Sequence, residues 1–138
     1  MPAVDDLTNC FYSCSNLTSI SFPEGFGSKA VDIGGCFYKC SSLTSLALPD
    51  GFGQNATTLV RAIAGCFRGC NALESLHLPS GFGQKATNLA NCFSNCSALK
   101  TITGNPNFKV SLNLSPCTEL THDSIMVVIN GLQTVTTT

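Results

Sequence analysis

The sequence predicts a single β-rich solenoid domain of about four coils, each 26–30 residues long, closed by a C-terminal capping helix. Three observations predict it. One phrase, C-F-x-x-C-x-x-L-x-x-[LI], occurs four times, beginning at Cys10, Cys36, Cys66 and Cys92. Each copy ends in a short alternating stretch that reads as a strand with one buried face. In the first three copies a Pro-x-Gly-Phe-Gly corner then stops the strand, at Pro23–Gly27, Pro49–Gly53 and Pro79–Gly83. Proline cannot donate to a ladder, and glycine takes the positive φ of tight corners.

The copies are spaced by 26, 30 and 26 residues, which places a short insertion between Gln54 and Gly65, in a loop. The repeats then run over about 4–29, 30–55, 56–85 and 86–108. Within them Leu17–Phe22, Leu43–Leu48 and Leu73–Leu78 supply the strands. A second inward stretch precedes each Cys-Phe and is marked by Leu7, Ile33, Ile63 and Leu89. The chain thus begins partway through a coil. A lone coil cannot bury its hydrophobic face, so equivalent residues must stack into columns about 4.8 Å apart. Each buried leucine or phenylalanine of a column contributes roughly 1.5–3 kcal/mol.

Residues 109–138 depart from the repeat. Phe108 keeps the register of the earlier corner phenylalanines, and Val110, Leu112 and Leu114 alternate as a further strand. Thr121 or Asp123 then offers an N-cap for a short amphipathic helix with Ile125, Val128, Ile129 and Leu132 on one face. Gly131 suits its stop, and Gln133–Thr138 reads as a polar or strand-like tail.

The repeated phrase resembles the BspA-like leucine-rich repeats of bacterial surface proteins, which run roughly A-F-x-x-C-x-x-L-x-x-I-x-[IL]-P. Cys10, Cys36, Cys66 and Cys92 stand where that pattern has alanine. The match covers about residues 4–108, and the segment from Leu114 to Ile125 is similar to a terminal module that accompanies such repeats. The resemblance implies a leucine-rich-repeat solenoid in an extracellular or cell-surface protein engaged in adhesion or recognition. It brings no catalytic residues. Related repeats also occur in surface proteins of some parasitic protists, so the host organism stays open.

Nine cysteines admit three readings. Eight form C-x-x-x-C pairs, and residues repeated in register line up along the solenoid axis. Two columns of buried thiols, acting as small hydrophobes, therefore rank first. Zinc needs about four thiolates converging on one point, which in-register columns do not offer. Disulfides between coils would join β-carbons about 4.8 Å apart, beyond the preferred spacing of about 3.8 Å. Both alternatives stay open, with at least one thiol left unpaired in any monomer.

Only 11% of residues are charged and the net charge is −1, so no basic field exists for a phosphate backbone or an anionic bilayer. Nucleic acid and membrane insertion are not expected. No apolar run reaches the roughly 18 residues of a membrane span, and no apolar signal segment follows Met1. Catalytic chemistry is hard to assemble. His77 lies in an outward strand column, and His122 and Asp123 sit together at a helix start. Ser124, His122 and Asp123 are too close in sequence to converge as a triad. Gly-Phe-Gly lacks the lysine and spacing of phosphate-binding loops. Glycosylation acceptor patterns at Asn16, Asn55, Asn95 and Asn113 are as well explained by an Asn/Ser/Thr-rich composition.

The expected function is therefore surface recognition of a protein or glycan partner, with no enzyme activity and no cofactor or metal. Two faces are candidates. The outward strand face carries Ser19, Ser21, Ser45, Ala47, Ser75, His77, Thr101 and Thr103 and would accept a flat partner. The column after each Cys-Phe carries Tyr12 and Tyr38, stacked on adjacent coils, then Arg68 and Ser94. Tyrosine and arginine are common interface anchors, and the tyrosines offer stacking to a sugar. The alternatives are a structural spacer within a longer surface or phage-associated protein, and metal binding through the cysteine columns. An open N-terminal edge adds self-association as a partner mode.

Overall fold

The computed structural model describes residues 6–61 and 64–130. Equivalent positions in successive copies are joined by backbone hydrogen bonds running along the stack. Phe11, Phe37 and Phe67 donate their N–H groups to the carbonyls of Cys36, Cys66 and Cys92 at 2.8–3.1 Å. In the same way Leu7 donates to Asp32, and Ile33 to Thr58, both at 2.9 Å. The coils are thus in register, as the copies of the phrase require. Corners repeat too, with the Asp6, Asp32 and Asn88 side chains each accepting the N–H two residues on.

Three strands form a parallel sheet in the order β1 (Ser45–Ala47), β4 (Ser75–Leu78) and β5 (Thr101–Gly104). Leu46, Leu76 and Ile102 pair across it and point into the core, while Ser45, Ser75 and Thr101 point outward. Behind the sheet stand columns of fully buried residues: Leu43, Leu73 and Leu99; Phe37, Phe67 and Phe93; Phe52, Phe82 and Phe108. The middle column stacks ring on ring, with centroids 5.9 and 5.3 Å apart. Alternation buries one face of each strand and stacking joins those faces into one core.

The insertion forms an antiparallel pair, β2 (Val60–Arg61) and β3 (Ala64–Gly65). The bond from Ile33 to Thr58 therefore sets Leu59, fully buried, in the column expected for Ile63, which lies outside the described residues. Counting back from the cysteine failed because the extra residues lie between Leu59 and Cys66.

Two expected strands are not formed. Residues 18–22 are extended but make no ladder, and Leu17, Ile20 and Phe22 are only partly buried. This first coil packs against a neighbour on one side among the described residues, so its column is half as well enclosed as those behind it. Val110, Leu112 and Leu114 keep the alternation of burial but form no ladder among the described residues, and a depression of about 480 Å³ is lined by Thr87–Ala90 and Val110–Asn113.

Beyond that depression the chain takes up the repeat again. Cys117 donates its N–H to Leu114 O and Leu120 donates to Cys117 O, the turn that Cys96 and Leu99 make in the fourth copy. Cys117 is buried and extends the cysteine column. Thr121 N–H then bonds to Lys100 O at 3.0 Å, on the flank of β5.

The helix α1 (His122–Asn130) begins there, with Thr121 as N-cap: its Oγ1 accepts the Ser124 N–H at 3.3 Å. Ser124 is buried and its Oγ accepts the Ile102 N–H at 2.8 Å, so α1 docks on the open edge of β5. Val128 is buried as expected, but this contact rotates Ile125 and Ile129 of the expected face outward. Ser124 and Val128 are the inward residues, while Ile125 and Ile129 are exposed. Leu132, Gly131 and the tail Gln133–Thr138 lie outside the described residues. No helix among the described residues is long and apolar enough to cross a membrane.

Candidate recognition surface

The outward strand face forms a shallow depression of about 140 Å³ over β1, β4 and β5. Leu46 and Leu76 make its floor, and Ser45, Ala47, Thr101 and Thr103 stand exposed around it. Ser75 and His77 in the middle strand are half-buried, and the His77 Nδ1 lies 2.9 Å from Thr103 Oγ1. This pairing occupies His77 with a neighbouring hydroxyl. Ser19 and Ser21 are exposed on the first coil, which forms no strand ladder.

The tyrosine column behaves differently from expectation. Tyr12 and Tyr38 do stack, at 4.7 Å and 24° between planes. Tyr12 is 46% exposed, whereas Tyr38 is only 5% exposed, so a partner meets the Tyr12 ring and not a pair. Tyr38 is covered because coils stack on both of its sides, and the Lys39 ammonium lies 5.3 Å from its ring centroid. Arg68, half-buried, and Ser94 complete the column, whose carbonyls accept the N–H groups of Ser13, Lys39 and Gly69 at 2.7–2.8 Å.

Those donors line a larger concavity that the sequence did not single out. Ser13, Lys39, Gly69 and Asn95 precede the second cysteine of each copy, and all four have positive φ, between 55° and 83°. The left-handed residue reverses the chain so that the following cysteine can bond back to the phenylalanine carbonyl. Two residues further on stand Ser15, Ser41, Asn71 and Ser97. Together these columns line a groove of about 780 Å³ that crosses the coils and ends at Pro116. Lys39 carries the one charge among the lining side chains. The available signal was the glycine and asparagine at the residue before the second cysteine, since both types favour left-handed backbone. It was masked by serine and lysine in the other two copies.

The cysteines face the other way. Cys36, Cys40, Cys66, Cys70, Cys92 and Cys96 are buried, while Cys10 is exposed and Cys14 half-buried on the less enclosed first coil. Cys40, Cys70 and Cys96 each donate S–H to the carbonyl of the phenylalanine one coil earlier, Phe11, Phe37 and Phe67, at 3.1 Å. Burial, reinforced by neighbouring thiols, pushes Cys70 up to about 12, and burial pushes Cys92 up to about 12 against two backbone hydrogen bonds. Cys36, Cys66 and Cys96 move in the same direction for the same first reason. Protonated, enclosed thiols are poor nucleophiles and poor ligands. Among the described residues no three His, Cys, Asp or Glu side chains gather as a metal site needs. His122 and Asp123 lie 3.8 Å apart on the surface at the start of α1.

The family model of the BspA type leucine rich repeat region matches residues 7–122 in six copies. That span reaches past the four phrases and takes in the turn around Cys117. No curated protein and no solved structure matches the chain.

Proposed function

Because this chain belongs to the BspA-type leucine-rich-repeat family, we propose that it is a non-catalytic recognition or adhesion scaffold at the cell surface, binding a protein or glycan partner. The observation that carries this reading is the set of polar, nearly uncharged side-chain columns held in register on the outside of the stack. Such columns are pre-organised by the core behind them, so little ordering entropy is lost when a partner docks. Cys36, Cys40, Cys66, Cys70, Cys92, Cys96 and Cys117 are instead turned inward, and burial holds the Cys70 thiol well above its ordinary value, while the His77 ring lies against the Thr103 hydroxyl.

The test is direct binding of the purified, immobilised chain to a panel of extracellular-matrix proteins and surface glycans by biolayer interferometry. Saturable binding to a panel member is expected. A chain that binds none of them acts as a spacer between other modules, and the recognition reading falls.

A further inference from the structure

We propose that the groove lined by the columns around Ser13 and Ser15 binds an extended glycan chain, lying along the solenoid axis with successive sugars over successive coils. This rests on the recognition reading above and names both the surface and the ligand class.

The groove, at about 780 Å³, falls in the size range of ligand sites, whereas the strand face offers about 140 Å³. Its lining chemistry is hydroxyl and amide. Ser13, Ser15, Ser41, Asn71, Asn95 and Ser97 can each donate and accept, which suits a hydroxyl-dense ligand. No leucine, isoleucine, valine, methionine or aromatic residue lines it, so a peptide would find no apolar anchor. The backbone closes the same route. The N–H groups of Ser13, Lys39 and Gly69 are already spent on carbonyls of the next coil, which closes these three coils to a peptide added as a strand.

The repeat also fits a polymer. Coils stack about 4.8 Å apart where backbones pair, close to the advance of one pyranose unit in an extended glycan, so each sugar meets the same two lining positions of one coil. The exposed Lys39 ammonium adds a contact for a uronate carboxylate.

The experiment is isothermal titration of the intact chain with xylohexaose, mannohexaose and hexagalacturonate. Asn71 and Ser97 are both exposed, so Asn71→Trp with Ser97→Trp fills the groove without disturbing the core. Ser15→Trp, at another exposed position, is the second variant should the first fail to fold. Glu24→Trp with Asp50→Trp, at exposed positions outside both concavities, is the control. At least one hexasaccharide should bind, and groove filling should weaken it by about tenfold or more, with the control variant within about twofold of the native chain. Lys39→Gln should weaken hexagalacturonate more than the neutral sugars. The proposal is overturned if no hexasaccharide binds, or if the filled groove binds as well as the native one. A matrix protein that binds the chain equally well after groove filling overturns the glycan groove and leaves the recognition reading standing. Failure of both the panel and the sugars removes both.

Discussion

Placing a methyl group on Gly83 should destabilise the fold far more than placing one on Gly81, although the two residues share a φ of +78°. Either alanine must hold left-handed backbone, at a cost of about 1–2 kcal/mol. The surroundings then separate them. A Cβ on Gly83 would lie 2.7 Å from both Cδ1 and Cε1 of Phe108, whose ring is 1% exposed and cannot swing aside. A Cβ on Gly81 would first meet Gln84 Oε1 at 3.1 Å, the end of a flexible side chain. Overpacking a closed core adds about 1–3 kcal/mol. Gly81→Ala should thus lose about 1–2 kcal/mol and Gly83→Ala about 2–5 kcal/mol. Gly25→Ala, with φ +80° and nothing within 4 Å, gives the backbone strain alone. The assay is urea unfolding followed by circular dichroism, with the midpoints converted at a common slope. Equal losses at Gly81 and Gly83 would refute the idea that the second glycine of each Gly-Phe-Gly exists to admit the next coil's phenylalanine.

Two further outcomes follow from the same packing. Ser124→Ala removes the acceptor of the buried Ile102 N–H and should cost about 1–3 kcal/mol, with faster amide exchange at Ile102 as its local sign. Stability should also fall at alkaline pH. Cys40 and Cys117 are raised to about 11, and Cys70 and Cys92 to about 12, from an ordinary 9.0. A group raised on folding stabilises the native state fully below its unfolded value and loses that contribution as pH climbs through the folded one. The urea midpoint should therefore be unaffected by these thiols below pH 9 and decline from there toward pH 12. A midpoint constant across that range would show that the thiols are not enclosed.

The coil architecture was legible because each copy repeats the residues that make it: the phenylalanine that stacks, the leucines that alternate, the proline and glycines that turn. Leu46, Leu76 and Ile102 occupy the buried strand positions their spacing predicts. The face of α1 was not legible. Periodicity alone favours Ile125 and Ile129, and it takes the Ile102 N–H, a partner far away in sequence, to draw Ser124 inward. Cys117 was left out of the sequence's cysteine pairs for a related reason. Leu114 stands where the repeat has phenylalanine, so the phrase around Cys117 is seen only when its turn bonds match those of Cys96. The groove was the least visible feature, because its columns share a backbone conformation and not a residue type. The exposed columns on the strand face were readable from alternation, while Tyr38 was not, since burial by stacking depends on both neighbouring coils.

Site-resolved alkylation of the native chain, read by mass spectrometry, tests most directly whether the cysteines belong to the core and leave function to the outer columns. Iodoacetamide should modify Cys10 and Cys14 rapidly and reach the other seven only in denaturant, at rates that follow global unfolding. Rapid native modification of Cys66, Cys70 or Cys92 would contradict the stacked core and return the cysteine columns to consideration as the working site.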